Sequence, residues 1–248
     1  MSALQTHGLT KRYGGLLVTD NVSLDIAPGE LHAVIGPNGA GKTTLINQLS
    51  GELAPDGGTV RFSGSDLTAL PVHERARLGL LRSFQITSIF EEFSVLENAA
   101  LAALGAREHA WRFWQPMLKN AEARRAAEEA LAACGLARRA RSPAGELGYG
   151  ERRQLELAMT LAARPAFLLL DEPMAGMSAQ ESAAVVALLQ GLKGRYTILL
   201  VEHDMDAVFA LADRISVLVY GRVTFTGTPD EIRHHPEVRA VYLGEELP

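Results

Sequence analysis

The chain has 248 residues, 47% of them hydrophobic, and a formal net charge of −5 at pH 7. That length and apolar share suffice for one large domain or two small ones with a buried core, and the acidic balance argues against nucleic acid as a partner. The lone cysteine, Cys134, excludes an intrachain disulfide, and no apolar run reaches the roughly eighteen residues that a membrane-spanning helix needs.

Met1-Ser2-Ala3-Leu4-Gln5 lacks the charged and apolar regions of a secretory signal. The expected location is therefore cytoplasmic, with membrane work done by docking on another protein or lying on the surface. Leu9–Tyr13 and Val22–Ile26 alternate apolar and polar residues as strands do, with a turn at Ala27-Pro28-Gly29-Glu30. The apolar run Leu31, Ala33, Val34, Ile35 predicts a buried strand. It leads into Gly36-Pro37-Asn38-Gly39-Ala40-Gly41-Lys42-Thr43, which matches G-x-x-x-x-G-K-[ST], the phosphate-binding loop. A helix-compatible run from Thr44 to Leu49 follows, the context that motif requires. Its glycines let backbone N–H groups point inward at phosphate oxygens, and the helix start adds a positive dipole end. Lys42 can reach the β- and γ-phosphates, and the Thr43 hydroxyl can ligate Mg²⁺. Alone, the loop implies only nucleoside triphosphate binding.

Pro55-Asp56-Gly57-Gly58 predicts another turn and Thr59–Phe62 another strand, giving an antiparallel layer beside a parallel sheet. From Ser94 to about Arg141 the chain is rich in Ala, Arg, Glu and Leu and predicts a helical insertion. It opens on the capping box Ser94-Val95-Leu96-Glu97 and contains a helix over Ala121–Cys134. Cys134 in that Ala-rich helix reads as a small buried apolar residue. An amphipathic helix is predicted from Gly150 to Ala163, and buried parallel strands at Phe167–Leu170 and Thr197–Val201. Ser178-Ala179-Gln180-Glu181 is a second capping box, opening a helix to about Leu192. Ile215–Val219 and Arg222–Phe225, joined at Tyr220-Gly221, predict a hairpin. Thr228-Pro229-Asp230-Glu231 caps a last short helix with proline at its first position.

Leu168-Leu169-Leu170-Asp171-Glu172-Pro173 reads as a strand ending in two carboxylates. Asp171 can hold Mg²⁺, usually through water, and Glu172 can polarise an attacking water. Phosphoryl transfer needs little more than such positioning and charge stabilisation.

Across essentially its whole length the chain resembles the ATP-binding subunits of ABC transporters. Gln85, in Arg82-Ser83-Phe84-Gln85, sits where that family has its Q-loop. Leu147-Gly148-Tyr149-Gly150-Glu151 sits at the signature L-S-G-G-Q, Ala175-Gly176-Met177-Ser178 at the D-loop, and His203 in Val201-Glu202-His203-Asp204 at the switch histidine. Tyr13 sits where the family stacks an aromatic on adenine. The resemblance implies an α/β P-loop NTPase (RecA-like) core with an antiparallel β subdomain and a helical insertion. Its expected boundaries are 1–85 and 147–230 for the core, 86–146 for the helical subdomain, and 231–248 for a C-terminal helix and tail.

The resemblance also implies a mechanism. Two subunits sandwich two ATP molecules, each held between one phosphate loop (Gly36 to Thr43, then Thr44) and the other subunit's signature (Gly148, Gly150). Glu172 acts as base, His203 binds the γ-phosphate, and Gln85 reaches Mg²⁺ and the attacking water. Mg²⁺ would be held by Thr43, Gln85 and Asp171. The partners implied are membrane permease subunits, a second ATPase (a heterodimer favoured over a homodimer) and, indirectly, a periplasmic substrate-binding protein. The chain would then sit peripherally on the cytoplasmic face of the inner membrane.

Three positions depart from the family pattern: Gly148 replaces the signature serine, Glu151 its glutamine, and Ser178 the D-loop aspartate. Loss of the serine hydroxyl predicts a weaker site. Ile89-Phe90, Ser94–Asn98, Tyr149, Met205 and the ending Val241-Tyr242-Leu243-Gly244-Glu245 resemble the branched-chain amino acid importer ATPases. The stretch Gly105–Asn120, with Trp111, Phe113 and Trp114, resembles an insertion in the larger of that system's two ATPases. The same engine serving urea, amides or aromatic acids, or lipopolysaccharide export, stays open, because cargo never touches such a subunit. A non-transport ATPase or a regulatory nucleotide-binding module is disfavoured by the short insertion and by the retention of Glu172 and His203.

Overall fold

In a computed structural model, residues 2–83, 89–105, 120–236 and 238 are described. Gln85, Trp111, Phe113, Trp114 and Val241–Glu245 lie outside them. In chain order the elements are β1 (Leu4–Tyr13), β2 (Leu16–Ile26), β3 (Leu31–Ile35), α1 (Lys42–Ser50), β4 (Gly57–Phe62), β5 (Ser65–Asp66), α2 (Val72–Arg77) and β6 (Leu80–Ser83). There follow α3 (Val95–Gly105), α4 (Ala121–Ala133), α5 (Tyr149–Ala162), β7 (Phe167–Asp171), α6 (Ala179–Leu192), β8 (Thr197–Val201), α7 (Met205–Leu211), β9 (Arg214–Val219), β10 (Arg222–Gly227) and α8 (Pro229–His234). Among the described residues no helix is long and apolar enough to cross a membrane.

The chain divides into two units, Met1–Arg75 with Phe167–Glu172 and Leu192–Pro248, and Ala76–Ala166 with Pro173–Gly191. In the first, β2-β1-β4-β5 form an antiparallel sheet, and β10-β9-β3-β8-β7 lie side by side in a second. β3, β7 and β8 are buried at every position, as strands covered on both faces must be. The expected hairpin is present: β9 and β10 pair antiparallel across Tyr220-Gly221. Phe62 of the antiparallel sheet meets Phe167 of the other edge-to-face, with ring centroids 6.1 Å apart.

Arg75 was not singled out by its sequence context, yet it is almost wholly buried. Its guanidinium donates to the carbonyls of Gln48 and Leu49, which the last turn of α1 leaves open, and to those of Leu70 and Thr68. Burial draws its pKa down, opposed by the nearby Asp66 charge. Gly51, left-handed at φ +88°, is the residue that fits beside it, since a Cβ there would stand 2.8 Å from Arg75 Nε.

In the second unit α3, α4 and α5 pack on one another. Asn120 caps α4 by accepting from the Ala123 N–H at 3.0 Å, and Ala123, Ala126, Ala127, Ala130 and Leu131 form its buried stripe. Ion pairs Arg124–Glu128 and Arg125–Glu129 lie on its outer face. The Ser94–Glu97 capping box forms as read, with the Ser94 N–H donating to Glu97 at 2.8 Å. Because α5 packs on both α3 and α4, this unit runs on past the 86–146 span. Cys134 is buried and its thiol is pushed up to about 12 by that burial, so it stays protonated and inert at neutral pH.

Arg75→Ala is expected to orphan several buried carbonyls and destabilise the chain by about 3 kcal/mol or more, read as a fall in Tm of roughly 10 °C for a protein of this size.

Candidate nucleotide-binding site

The parallel register gathers the functional ends. Val34 of β3 is level with Val201 of β8, and Asp171 of β7 is level with the same Val201. The segments leaving these strands therefore emerge at one edge of the sheet: Gly36–Thr43 after β3, Glu172 after β7, Glu202 and His203 after β8. Ligands of parallel α/β sheets bind at these carboxyl ends.

The loop after β3 is built from tight backbone. Gly39 and Gly41 are left-handed at φ +79° and +102°, and Gly41 is the N-cap of α1. A Cβ on Gly36 would collide with the Leu218 carbonyl, and one on Gly41 with the Val18 carbonyl. Glycine is therefore required at both on steric grounds. The Ala40 N–H donates to the Pro37 carbonyl at 3.1 Å, and the Ala40 carbonyl accepts from Gly221 at 2.9 Å. Lys42 is buried and donates to the carbonyls of Gly36 (2.5 Å) and Pro37 (3.1 Å). Burial draws its pKa down, while the charges of Glu172 and Asp171 hold it up. Thr43 is exposed and Thr44 partly so. Tyr13, half-exposed, ends the strand whose hairpin partner β2 carries Val18 against Gly41.

Asp171 is buried at the end of β7. At Glu172 the backbone turns left-handed, φ +46°, a conformation that costs a non-glycine residue about 1 kcal/mol or more. Its N–H still bonds to the Val201 carbonyl at 2.9 Å, so the turn is held against β8. Glu172 Oε1 lies 3.8 Å from His203 Nδ1. Asp204, not His203, caps α7, accepting from the N–H groups of Asp206 and Ala207. The structure thus brings Lys42, Asp171, Glu172 and His203 together. A donor set of buried lysine, two carboxylates and a glycine cradle suits a nucleoside triphosphate with Mg²⁺. That ion is commonly held by one or two carboxylates plus phosphate oxygens, with no all-protein cage.

The signature and D-loop segments lie in the second unit. α5 begins at Tyr149 with Gly148 as N-cap, one residue earlier than expected, so Gly150 is its second residue. Glu151 accepts from the Gly148 N–H at 3.2 Å and pairs with Arg139. The residue departing from the family pattern thus caps its own helix. The Glu181 carboxylate accepts from the Ser178 N–H at 2.9 Å and from its hydroxyl at 2.7 Å, and it stands so near Gly150 that a Cβ there would lie 2.6 Å from Oε1. These bonds hold the Glu181 pKa down. Tyr149 donates to the Ala175 carbonyl at 3.1 Å. Signature and D-loop are therefore joined by two contacts. Glu181 was read only as a capping residue, because its reach to Gly150 depends on tertiary packing.

The ABC transporter family profile matches residues 19–175, and the profile of the branched-chain amino acid ATP-binding cassette transporter matches residues 225–247. The chain belongs to the ABC transporter ATP-binding family. The cassette is similar to LivG of Escherichia coli, a high-affinity branched-chain amino acid transport ATP-binding protein, with 40% identity over 98% of each chain. It shows the same identity and coverage with BraF of Pseudomonas aeruginosa, which carries the same description. Among solved structures, the ADP conformation of an ATP-binding cassette of an ABC transporter matches with a TM-score of 0.87 and 30% identity, over 99% of this cassette and all of that chain (100%). The α/β cassette fold read from the sequence is the fold found.

Lys42→Ala is expected to weaken binding of a non-hydrolysable ATP analogue by about tenfold or more, the value of a charge-assisted hydrogen bond. Titration calorimetry reads the loss, and an unchanged Tm would mark it as local.

Proposed function

We propose that this cassette hydrolyses ATP to drive an importer of branched-chain or related hydrophobic amino acids. The observation that carries the reading is the convergence of Lys42, Asp171, Glu172 and His203 on one edge of a parallel sheet, in a chain whose relatives are branched-chain amino acid transport ATP-binding proteins. The triphosphate lies along the backbone N–H groups of residues 36–44, with the adenine stacked on Tyr13. Lys42 exchanges its two loop carbonyls for β- and γ-phosphate oxygens. Thr43, Asp171 and Gln85 would hold Mg²⁺, which would supply charge neutralisation for the phosphates. Glu172 takes the proton of the attacking water and His203 hydrogen-bonds the γ-phosphate. Gly148 and Gly150 face the γ-phosphate bound to a second ATPase subunit, which is a paralogue in preference to a copy. The assembly docks on membrane permease subunits at the cytoplasmic face and is fed by a periplasmic binding protein.

Cells carrying Glu172→Gln are expected to lose uptake of labelled leucine, isoleucine and valine, and the purified assembly to lose about 10²–10⁴-fold in ATP turnover, as removal of a general base does. Full uptake with the variant protein present, and no second transporter, would remove branched-chain import and leave the ATPase assignment standing.

Gly148→Ser adds a hydroxyl donor at the signature. Turnover of the assembly at limiting ATP is expected to rise by up to about tenfold, and an unchanged rate would show that the missing serine does not weaken the site.

A further inference from the structure

We propose that Glu202 is a positioning residue for the switch histidine, with its buried carboxylate holding the Nδ1 edge of His203 inward and the Nε2 edge out toward the γ-phosphate and attacking water. This rests on the reading of His203 given above. Glu202 is fully buried, directly after the last residue of β8, whereas the His203 side chain is 62% exposed. An exposed imidazole on a loop has several staggered orientations available. One side of this ring faces a fixed reference. Glu202 Oε2 accepts from the His203 backbone N–H at 3.1 Å, which pins the carboxylate to the loop, and the same oxygen stands 3.7 Å from Nδ1. Glu172 Oε1 flanks the same nitrogen at 3.8 Å. Both separations exceed hydrogen-bond length, but two carboxyl oxygens beside one ring nitrogen attract its N–H and repel its bare lone pair. The proton thus sits on Nδ1, and the choice of tautomer is set by the partner, as for other functional histidines. Glu172 is partly exposed, at 31%, and has its own task with water. Glu202, at 1%, is sealed from solvent and fixed in place by its bond to the His203 N–H.

Nothing in the sequence separates Glu202 from its neighbours Val201 and Asp204, because its burial and its approach to Nδ1 arise only when β8 is packed between β3 and β7.

The test is a double-mutant cycle in the assembled transporter. Glu202→Gln keeps the volume and an acceptor for the His203 N–H but removes the charge. It is expected to lower kcat about tenfold with KM for ATP within about twofold, since the loop that binds ATP is untouched. In a His203→Ala background the same change is expected to have no further effect, because Glu202 acts through the ring. An equal fall in both backgrounds would mark a structural role and overturn the inference, as would wild-type kcat in Glu202→Gln alone. A His203→Ala assembly with wild-type turnover would overturn the role of His203 and this inference with it. A further measurement needs no variant: long-range ¹⁵N spectra of the histidine rings in the wild-type chain are expected to show His203 protonated on Nδ1. A bare Nδ1 overturns the proposal.

Discussion

The parallel register of β3, β8 and β7 is the constraint on which the rest of the site depends. Leu31 to Val34 run level with Ile198 to Val201, and Phe167 to Asp171 with Thr197 to Val201. A shift of one residue would turn each strand's side chains to the opposite face and move the loops that follow. With the register held, residues far apart in sequence leave the sheet at one edge, and Lys42 comes within the field of Asp171 and Glu172. The strands are buried at every position and mostly apolar, with His32 of β3 the buried exception, bonded to Glu30 and Ser216, and Thr197 at the start of β8. The core excludes water beneath the site, which strengthens charge interactions above it.

Close backbone approach makes the second contribution. Gly36 and Gly41 sit where any Cβ would strike a neighbouring carbonyl, so the loop packs against β2 and the β9–β10 hairpin at van der Waals limits. Glu172 accepts a left-handed backbone at the end of β7, held by its bond to Val201, and this strain falls at the residue assigned the proton transfer. In the helical unit, Gly150 leaves room for Glu181, and Tyr149 reaches Ala175, so the signature and the D-loop are in contact.

Much of this was legible residue by residue. The phosphate loop, the two carboxylates after an apolar run, and the capping boxes at Ser94, Ser178 and Thr228 are local devices whose partners lie within a few residues. The hairpin at Tyr220-Gly221 is local as well. Arg75, Glu202 and Glu181 were not legible. Arg75 satisfies carbonyls more than twenty residues away in α1 as well as nearby ones. Glu202 is a carboxylate in a strand-end context where exposure is the ordinary outcome. Glu181 reaches Gly150 across two helices. Each carries a polar side chain whose partner is chosen by packing.

The sequence by itself determined the chemistry: a glycine-rich loop with its lysine, paired acids and a histidine after buried strands, and the order of motifs that marks an ABC cassette. Those features depend on residue type and short spacing, which the chain states directly. Tertiary structure alone decided which buried charges support them. It bent Lys42 back onto its own loop, placed two carboxylates within 4 Å of one nitrogen of His203, and set Arg75 under the end of α1. The reason is physical: a buried polar group must find a partner wherever the fold provides one, and only the packed sheet fixes where that is.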